Sequence, residues 1–268
     1  MNRGEAHADP LALGRRLKEK LIRGGTCAGA FLKIPSPDMV EVFAGTDLDF
    51  VIADAEHGPI GPESCQAMVR AGDAAGLPVL ARIGEANVGG TVTRFLDTGI
   101  AGVHLPRIDS VADALAGFEL LFHPPHGIRG LAGGRWASYG KAAPLPQLLD
   151  SLPASLVVVV QIESRTALDN LDELLSLEVP DVYFIGPTDL AASLGLRGDK
   201  DDVRVVDEVD GAIAKITAAG RTAGVIAGNA AEVERYCRAG VRYFVFNGEA
   251  LAQAGAAGIL AGIIQGKQ

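Results

Sequence analysis

The chain has 268 residues, 48% of them hydrophobic, enough for one large α/β domain or two small ones with a substantial core. A formal net charge of −9 argues against nucleic acid or an acidic membrane surface as partner. Three cysteines, Cys27, Cys65 and Cys237, form no CxxC pair, which speaks against a disulfide framework or structural zinc and for a reducing, cytoplasmic setting. The opening MNRGEAHADP has no apolar core, so no secretory signal is expected, and no apolar run reaches the ~20 residues of a membrane span.

Residues 1 to about 10 are polar and are expected to fray. Leu13, Leu17 and Leu21 then repeat every fourth position, which predicts an amphipathic helix over Leu11–Arg23, stopped by Gly24-Gly25. From there strand and helix alternate. Strands are predicted at Cys27–Lys33, Asp49–Asp54, Pro78–Ile83, Ala101–Leu105, Leu156–Gln161, Asp181–Ile185, Thr222–Ile226 and Arg242–Phe246. Helices are predicted from Ser36 through Ala44, to Gly76, from about Asn87 to Thr98, and over Ser110–Leu121. Further helices are expected at Asp169–Leu177, roughly Val205–Ala219, Ala230–Ala239 and 249–264. The stretch Phe122–Gly140 is rich in glycine and proline and has no periodicity. A loop that long inside a compact domain is expected to be functional or a lid.

Eight strands, each followed by a helix, predict a single-domain (β/α)8 TIM barrel. An open doubly wound sheet would need a glycine-rich turn after the first strand, but Lys33-Ile34-Pro35-Ser36 stands there instead. The expected division is 1–25 as an N-terminal extension and helix, 26–248 as the barrel, and 249–268 as a C-terminal helix too glycine-rich to stand without a neighbouring subunit.

The chemistry of such a barrel collects at the C-terminal ends of its strands. Leu156–Val160 runs without a polar break and ends at Gln161-Ile162-Glu163, and the next strand ends at Gly186-Pro187-Thr188-Asp189. Glu163 and Asp189 therefore fall at adjacent strand ends, where two carboxylates repel unless a cation lies between them. With few protein ligands, Mg²⁺ or Mn²⁺ suits the pair better than zinc. The alternatives are a helix cap at Asp189 and an ion pair between Glu163 and Arg165.

His57, within Asp54-Ala55-Glu56-His57-Gly58, has the setting of a general base oriented by Asp54 or Glu56, or of a solvated loop histidine. Arg82 closes an apolar strand. It is expected to meet an anion, either a substrate carboxylate or enolate, or Asp54 or Glu56 in a structural ion pair. Backbone N–H groups of Gly186 and Thr188 are expected to turn toward a substrate carboxylate.

The blocks DFVIADAEHGPIG, LARIGE, FLDTGIAGVHLPRIDS, PPHGIRG, VVQIESRTALDNLDEL and VYFIGPTDLAASLG run in order from about residue 26 to 250. They resemble the HpcH/HpaI family of class II pyruvate aldolases, which includes 4-hydroxy-2-oxoheptanedioate and 2-keto-3-deoxy-sugar-acid aldolases. The resemblance implies a (β/α)8 barrel in a homohexamer whose subunits exchange the C-terminal helix. It implies reversible cleavage of a 4-hydroxy-2-keto acid to pyruvate and an aldehyde through a metal-bound enolate, with Mg²⁺, Mn²⁺ or Co²⁺ as cofactor. By the same resemblance Glu163 and Asp189 bind the metal, His57 is the acid/base group supported by Asp54, and Arg82 contacts the keto oxygen. Gln161 would lie beside the pyruvate or a metal-bound water, and the backbone of Gly186, Pro187 and Thr188 would hold the pyruvate carboxylate. Ile226 is expected to line the mouth on the aldehyde side. Lys33, Arg107 and Asn247-Gly248-Glu249 depart from the family pattern on the aldehyde side. Competing readings are an acyl-CoA lyase on the same scaffold, a Schiff-base aldolase using Lys33, and a barrel that binds a keto acid without turning it over.

Overall fold

In a computed structural model that describes residues 9–84, 89–141 and 143–265, eight parallel strands close into a barrel in the order β1 to β8. The expected polar tail before residue 9 and the helix start at Asn87 lie outside the described residues. The strands are β1 Cys27–Leu32, β2 Phe50–Asp54, β3 Val79–Arg82, β4 Gly102–Leu105, β5 Val157–Ile162, β6 Val182–Ile185, β7 Ala223–Ile226 and β8 Tyr243–Asn247.

Period-two alternation splits the strand residues between two cores. Outward residues such as Val51, Val103, Val158, Val160 and Ile185 pack beneath the surrounding helices. Inward residues, among them Phe31, Phe50, Ile52, Leu80, Val159, Phe184 and Tyr243, fill the barrel itself. Gly29 is the inward residue of β1 beside Phe50, and a Cβ there would strike the Phe50 ring. Its absence lets Phe50 stack on Tyr243 with centroids 4.7 Å apart.

The first helix, α1 Ala12–Ile22, closes the barrel from below. Its Leu17 and Leu21 join the inner core, as the every-fourth-residue pattern predicts. Lys18 reaches under the strands to Asp181 at 2.9 Å and to the Leu156 carbonyl at 3.0 Å.

The helices outside the barrel are α2 Pro37–Ala44, α3 Pro62–Ala75, α4 Gly89–Asp97, α5 Val111–Leu121, α6 Leu145–Ser151, α7 Arg165–Asp169, α8 Leu171–Leu174, α9 Pro187–Ser193, α10 Val203–Ala218, α11 Ala230–Arg238 and α12 Gly248–Gln265. Ser110 caps α5 by accepting from the Asp113 N–H at 3.2 Å, and Asn229 caps α11 by accepting from the Glu232 N–H at 3.0 Å.

The segment joining α5 to β5 is not a lid over this chain's own mouth. It runs along the opposite end of the barrel. Arg129, buried, pairs with Asp97 at the end of α4 at 2.7 Å, Arg135 pairs with Asp73 of α3, and Trp136 is buried beneath them. The segment carries a 3₁₀ turn over Arg135–Gly140 and α6, where sequence periodicity showed neither. Arg129 is therefore no contact for a ligand at the mouth, where an acyl-CoA lyase would need basic groups.

Candidate active site

At the mouth the inward positions turn polar: Asp54 on β2, Arg82 on β3, Gln161 on β5 and Asn247 on β8. Asp54 is fully buried and accepts both Arg82 Nε at 2.9 Å and Arg82 Nη2 at 2.6 Å. This two-pronged ion pair matches the strand register, in which Asp54 is opposite Arg82. Asp54 also accepts the backbone N–H of Glu56 at 3.3 Å and of His57 at 3.2 Å, so one carboxylate folds the loop and fixes the guanidinium. Arg82 further approaches Glu56 at 3.4 Å and lies 4.3 Å above the Phe31 ring. The ion pair expected with Asp54 or Glu56 is thus present with both, and Arg82 still faces the cavity.

His57 is exposed, and its Nε2 stands 3.7 Å from Glu56 Oε2. Asp54 reaches only the backbone of His57, so Glu56 is the carboxylate that faces the ring.

Glu163 lies just past β5 and is buried, at 7% exposure. Its Oε1 accepts the N–H of Arg107 at 2.7 Å, from a backbone turned left-handed at Arg107 (φ 55°). Burial, with added repulsion from Asp189 and Glu56, pushes its carboxyl up to about 7 against the Arg107 N–H and the Arg82 charge. Arg165 does not pair with it; that side chain goes to Asp169 and Glu208. Asp189 is exposed in the first turn of α9, a helix absent from the sequence reading, and its side chain caps nothing among the described residues.

Gly186 is needed between the two carboxylates, since a Cβ there would come within 3.0 Å of Glu163 Oε2. Its N–H is not free for a substrate, contrary to expectation: parallel pairing spends it on the Ile162 carbonyl at 3.1 Å. Pro187 has no N–H. Thr188, in the first turn of α9, is what remains of that expected backbone site.

Two cavities meet at Glu163 and Asp189. The inner one, about 90 Å³, is lined by Phe31, Lys33, Arg82, Gln161, Thr188 and Ile226 among others. The outer one, about 480 Å³, contains Glu56, His57, Arg107, Asp109, Ser164 and Ser193. The sequence-predicted residues are thus brought together, with His57 in the outer cavity and Arg82, Gln161, Gly186, Pro187, Thr188 and Ile226 in the inner one.

A divalent cation fits this donor set. Among the described residues no group of three or more His, Cys, Asp and Glu side chains forms a metal cluster, so the protein offers two carboxylates and leaves the other positions to water and substrate. The buried Glu163 has negative neighbours, and the buried Gln161 Oε1 has no hydrogen-bond partner in the inner cavity. Both are oxygen donors in want of positive charge or a proton.

Sequence reasoning missed the layer beneath. His104, fully buried in register with Arg82, meets the Tyr243 hydroxyl at 2.8 Å and packs edge-on against Phe31 at 5.6 Å. Burial holds His104 well below its ordinary value and therefore neutral. Only the inward parity of His104 on β4 signals this in the sequence.

The model of the HpcH/HpaI aldolase/citrate lyase family matches residues 28–254. The chain belongs to the HpcH/HpaI aldolase/citrate lyase family. This member is 31% identical over 261 residues to a hydroxypyruvate/pyruvate aldolase of Deinococcus radiodurans, covering 97% of this chain and 92% of that protein. It is 32% identical to a 2-keto-3-deoxy-L-rhamnonate aldolase of Escherichia coli, covering 80% of each chain. Among solved structures, an HpcH/HpaI aldolase/citrate lyase family protein from Burkholderia cenocepacia superposes with a TM-score of 0.86 at 29% identity, covering 93% of this chain and 99% of the other.

Proposed function

We propose that this family member is a divalent-cation-dependent, class II pyruvate aldolase that reversibly cleaves a 4-hydroxy-2-keto acid to pyruvate and an aldehyde. The observation that carries the reading is the buried, under-neutralised Glu163 beside Asp189, between a cavity holding Arg82 and a cavity holding His57. The relatives named hydroxypyruvate/pyruvate aldolase and 2-keto-3-deoxy-L-rhamnonate aldolase support it. Glu163 and Asp189 are the residues that would hold Mg²⁺, Mn²⁺ or Co²⁺. When bound, the cation supplies Lewis acidity toward the keto acid.

The chain's own groups do the rest. Arg82, held on two sides by Asp54 and Phe31, presents a fixed positive charge where negative charge develops on the keto oxygen. His57 takes the proton from the C4 hydroxyl during cleavage, and Glu56 stabilises the imidazolium that results. The C4 oxygen becomes the aldehyde carbonyl, the C3–C4 electron pair passes into the enolate, and return of one proton to C3, balancing the one His57 took and restoring the neutral imidazole, gives pyruvate. Gln161 and the Thr188 backbone orient the keto acid, against a wall formed by Pro187 and Ile226.

α12 is exposed from Ala250 to Ala261, with Leu251, Ile259 and Leu260 uncovered, which supports burial against other copies of this chain in a homo-oligomer, a hexamer by family resemblance. In this reading 1–25 is an N-terminal extension whose helix α1 forms the floor, 26–248 is the catalytic barrel and 249–268 carries the subunit contact, in a cytoplasmic enzyme. Among the described residues no helix is long and apolar enough to cross a membrane.

The test is pyruvate release from a panel of 4-hydroxy-2-keto acids, before and after EDTA and with Mg²⁺, Mn²⁺ or Co²⁺ restored. Cleavage lost to EDTA and regained with a cation is expected, as is a fall of about 10²–10⁴-fold in kcat for His57→Ala. Cleavage indifferent to EDTA, with borohydride trapping at Lys33, would overturn the proposal.

A further inference from the structure

The two cavities divide the substrate between them. The inner one, about 90 Å³ beside Arg82 and Gln161, has room for the pyruvate half. His57 must reach the C4 oxygen and lies in the outer one, so everything beyond C4 extends into that larger space of about 480 Å³. Among the described residues that line the outer cavity, Ala192 is the one apolar side chain. An alkyl aldehyde would find little apolar surface there to bury against.

Most of the charge in the outer cavity is committed. Glu56 is held by Arg82 at 3.4 Å, Asp109 accepts from the Ser164 hydroxyl, and Glu163 and Asp189 face the cation position. Arg107 differs. Among the described residues its guanidinium has no carboxylate within 4.0 Å and no hydrogen-bond acceptor. Its backbone is pinned all the same, by the left-handed turn and the N–H donated to Glu163 at 2.7 Å. A guanidinium with no partner among the described residues is therefore tethered, by a pinned backbone, to the cavity that also holds His57.

Resting on the aldolase reading, we infer that Arg107 is the specificity-determining residue for the aldehyde, selecting one that carries a carboxylate. A guanidinium matches a planar carboxylate through two parallel N–H donors. A phosphorylated aldehyde fits less well, because its second negative charge would meet Glu56 and Asp109 with a single cation to balance it.

The experiment compares condensation of pyruvate with succinic semialdehyde, butanal and glyceraldehyde 3-phosphate. Wild type is expected to favour the acid over butanal by at least about tenfold in kcat/KM, through KM. Arg107→Asn, which tolerates the left-handed turn, collapses that ratio toward 1, and Arg107→Lys keeps part of it. A role confined to structure would lower all aldehydes together and leave the ratio unchanged. A wild-type ratio near 1, a ratio unmoved by Arg107→Asn, or a preference for the phosphorylated aldehyde would each overturn the inference. Exchange of the pyruvate methyl hydrogens in D₂O needs no aldehyde. If it persists while the ratio fails, the aldolase reading stands and only Arg107 falls. Absence of both exchange and condensation in wild type would overturn the aldolase reading and the assignment with it.

Discussion

The two ends of the barrel treat charge in opposite ways. At the floor, among the described residues, the half-buried acids beneath the strands have their partners. Asp181 accepts Lys18 Nζ at 2.9 Å and the Val158 N–H at 2.8 Å, and Asp49 accepts the Ala28 N–H at 2.9 Å and Lys20 Nζ at 2.5 Å. Burial pushes Asp181 up, and Lys18 and the Val158 N–H oppose it. At the mouth Glu163 is buried but is offered one N–H and surrounded by more acid, and it rises to about 7. Ion pairs at the floor serve the fold; at the mouth the missing positive charge is left for a ligand to bring.

Substitutions at the two ends should therefore separate activity from stability. Glu163→Ala is expected to lower pyruvate release by at least about 10³-fold, since several kcal/mol of transition-state stabilisation go with the cation, while thermal unfolding stays cooperative. Lys18→Met should do the reverse. It leaves Asp181 buried without its cation and should cost about 3–5 kcal/mol in urea unfolding, while cleavage by the folded fraction continues.

A pH series sharpens the contrast. Burial raises the folded-state value of Glu163 from its ordinary 4.5 to about 7, so the native state holds this proton where the unfolded chain has released it. The associated stability is full below about 4.5 and is lost as pH rises through about 7. It amounts to about 3 kcal/mol between wild type and Glu163→Gln in cation-free buffer, where the Gln variant lacks this slope. The smallest effect is expected at Phe31→Leu. Loss of the ring beneath Arg82 should lower kcat two- to fivefold, for a contact of about 0.5–1 kcal/mol.

Much of this was legible in the chain because it is encoded locally. An unbroken apolar run must be a strand buried on both faces, and the charged residue that ends it must sit at the barrel rim; Val157–Gln161 with Glu163, and Phe50–Asp54, follow that rule. What was hidden depends on partners distant in sequence. Nothing near Gly186 says that its N–H goes to Ile162. Nothing near His104 points to Tyr243, 139 residues on. The α6 segment and α9 were missed because seven residues carry too few turns for a periodic signal, and tertiary packing holds them. The segment around Arg129 resembled a lid because glycine and proline describe only an irregular path. Its place at the floor is fixed by Asp97 and Asp73.

The central claim is that Glu163 and Asp189 form one cation site, and titration calorimetry of EDTA-stripped protein with Mn²⁺ tests it most directly. Wild type at pH 8 should bind one Mn²⁺ per chain, and affinity should fall below about pH 7 as the proton on Glu163 competes. Glu163→Gln and Asp189→Asn should each weaken binding at least a hundredfold. Wild-type affinity in both variants, or no binding by wild type, would contradict the account.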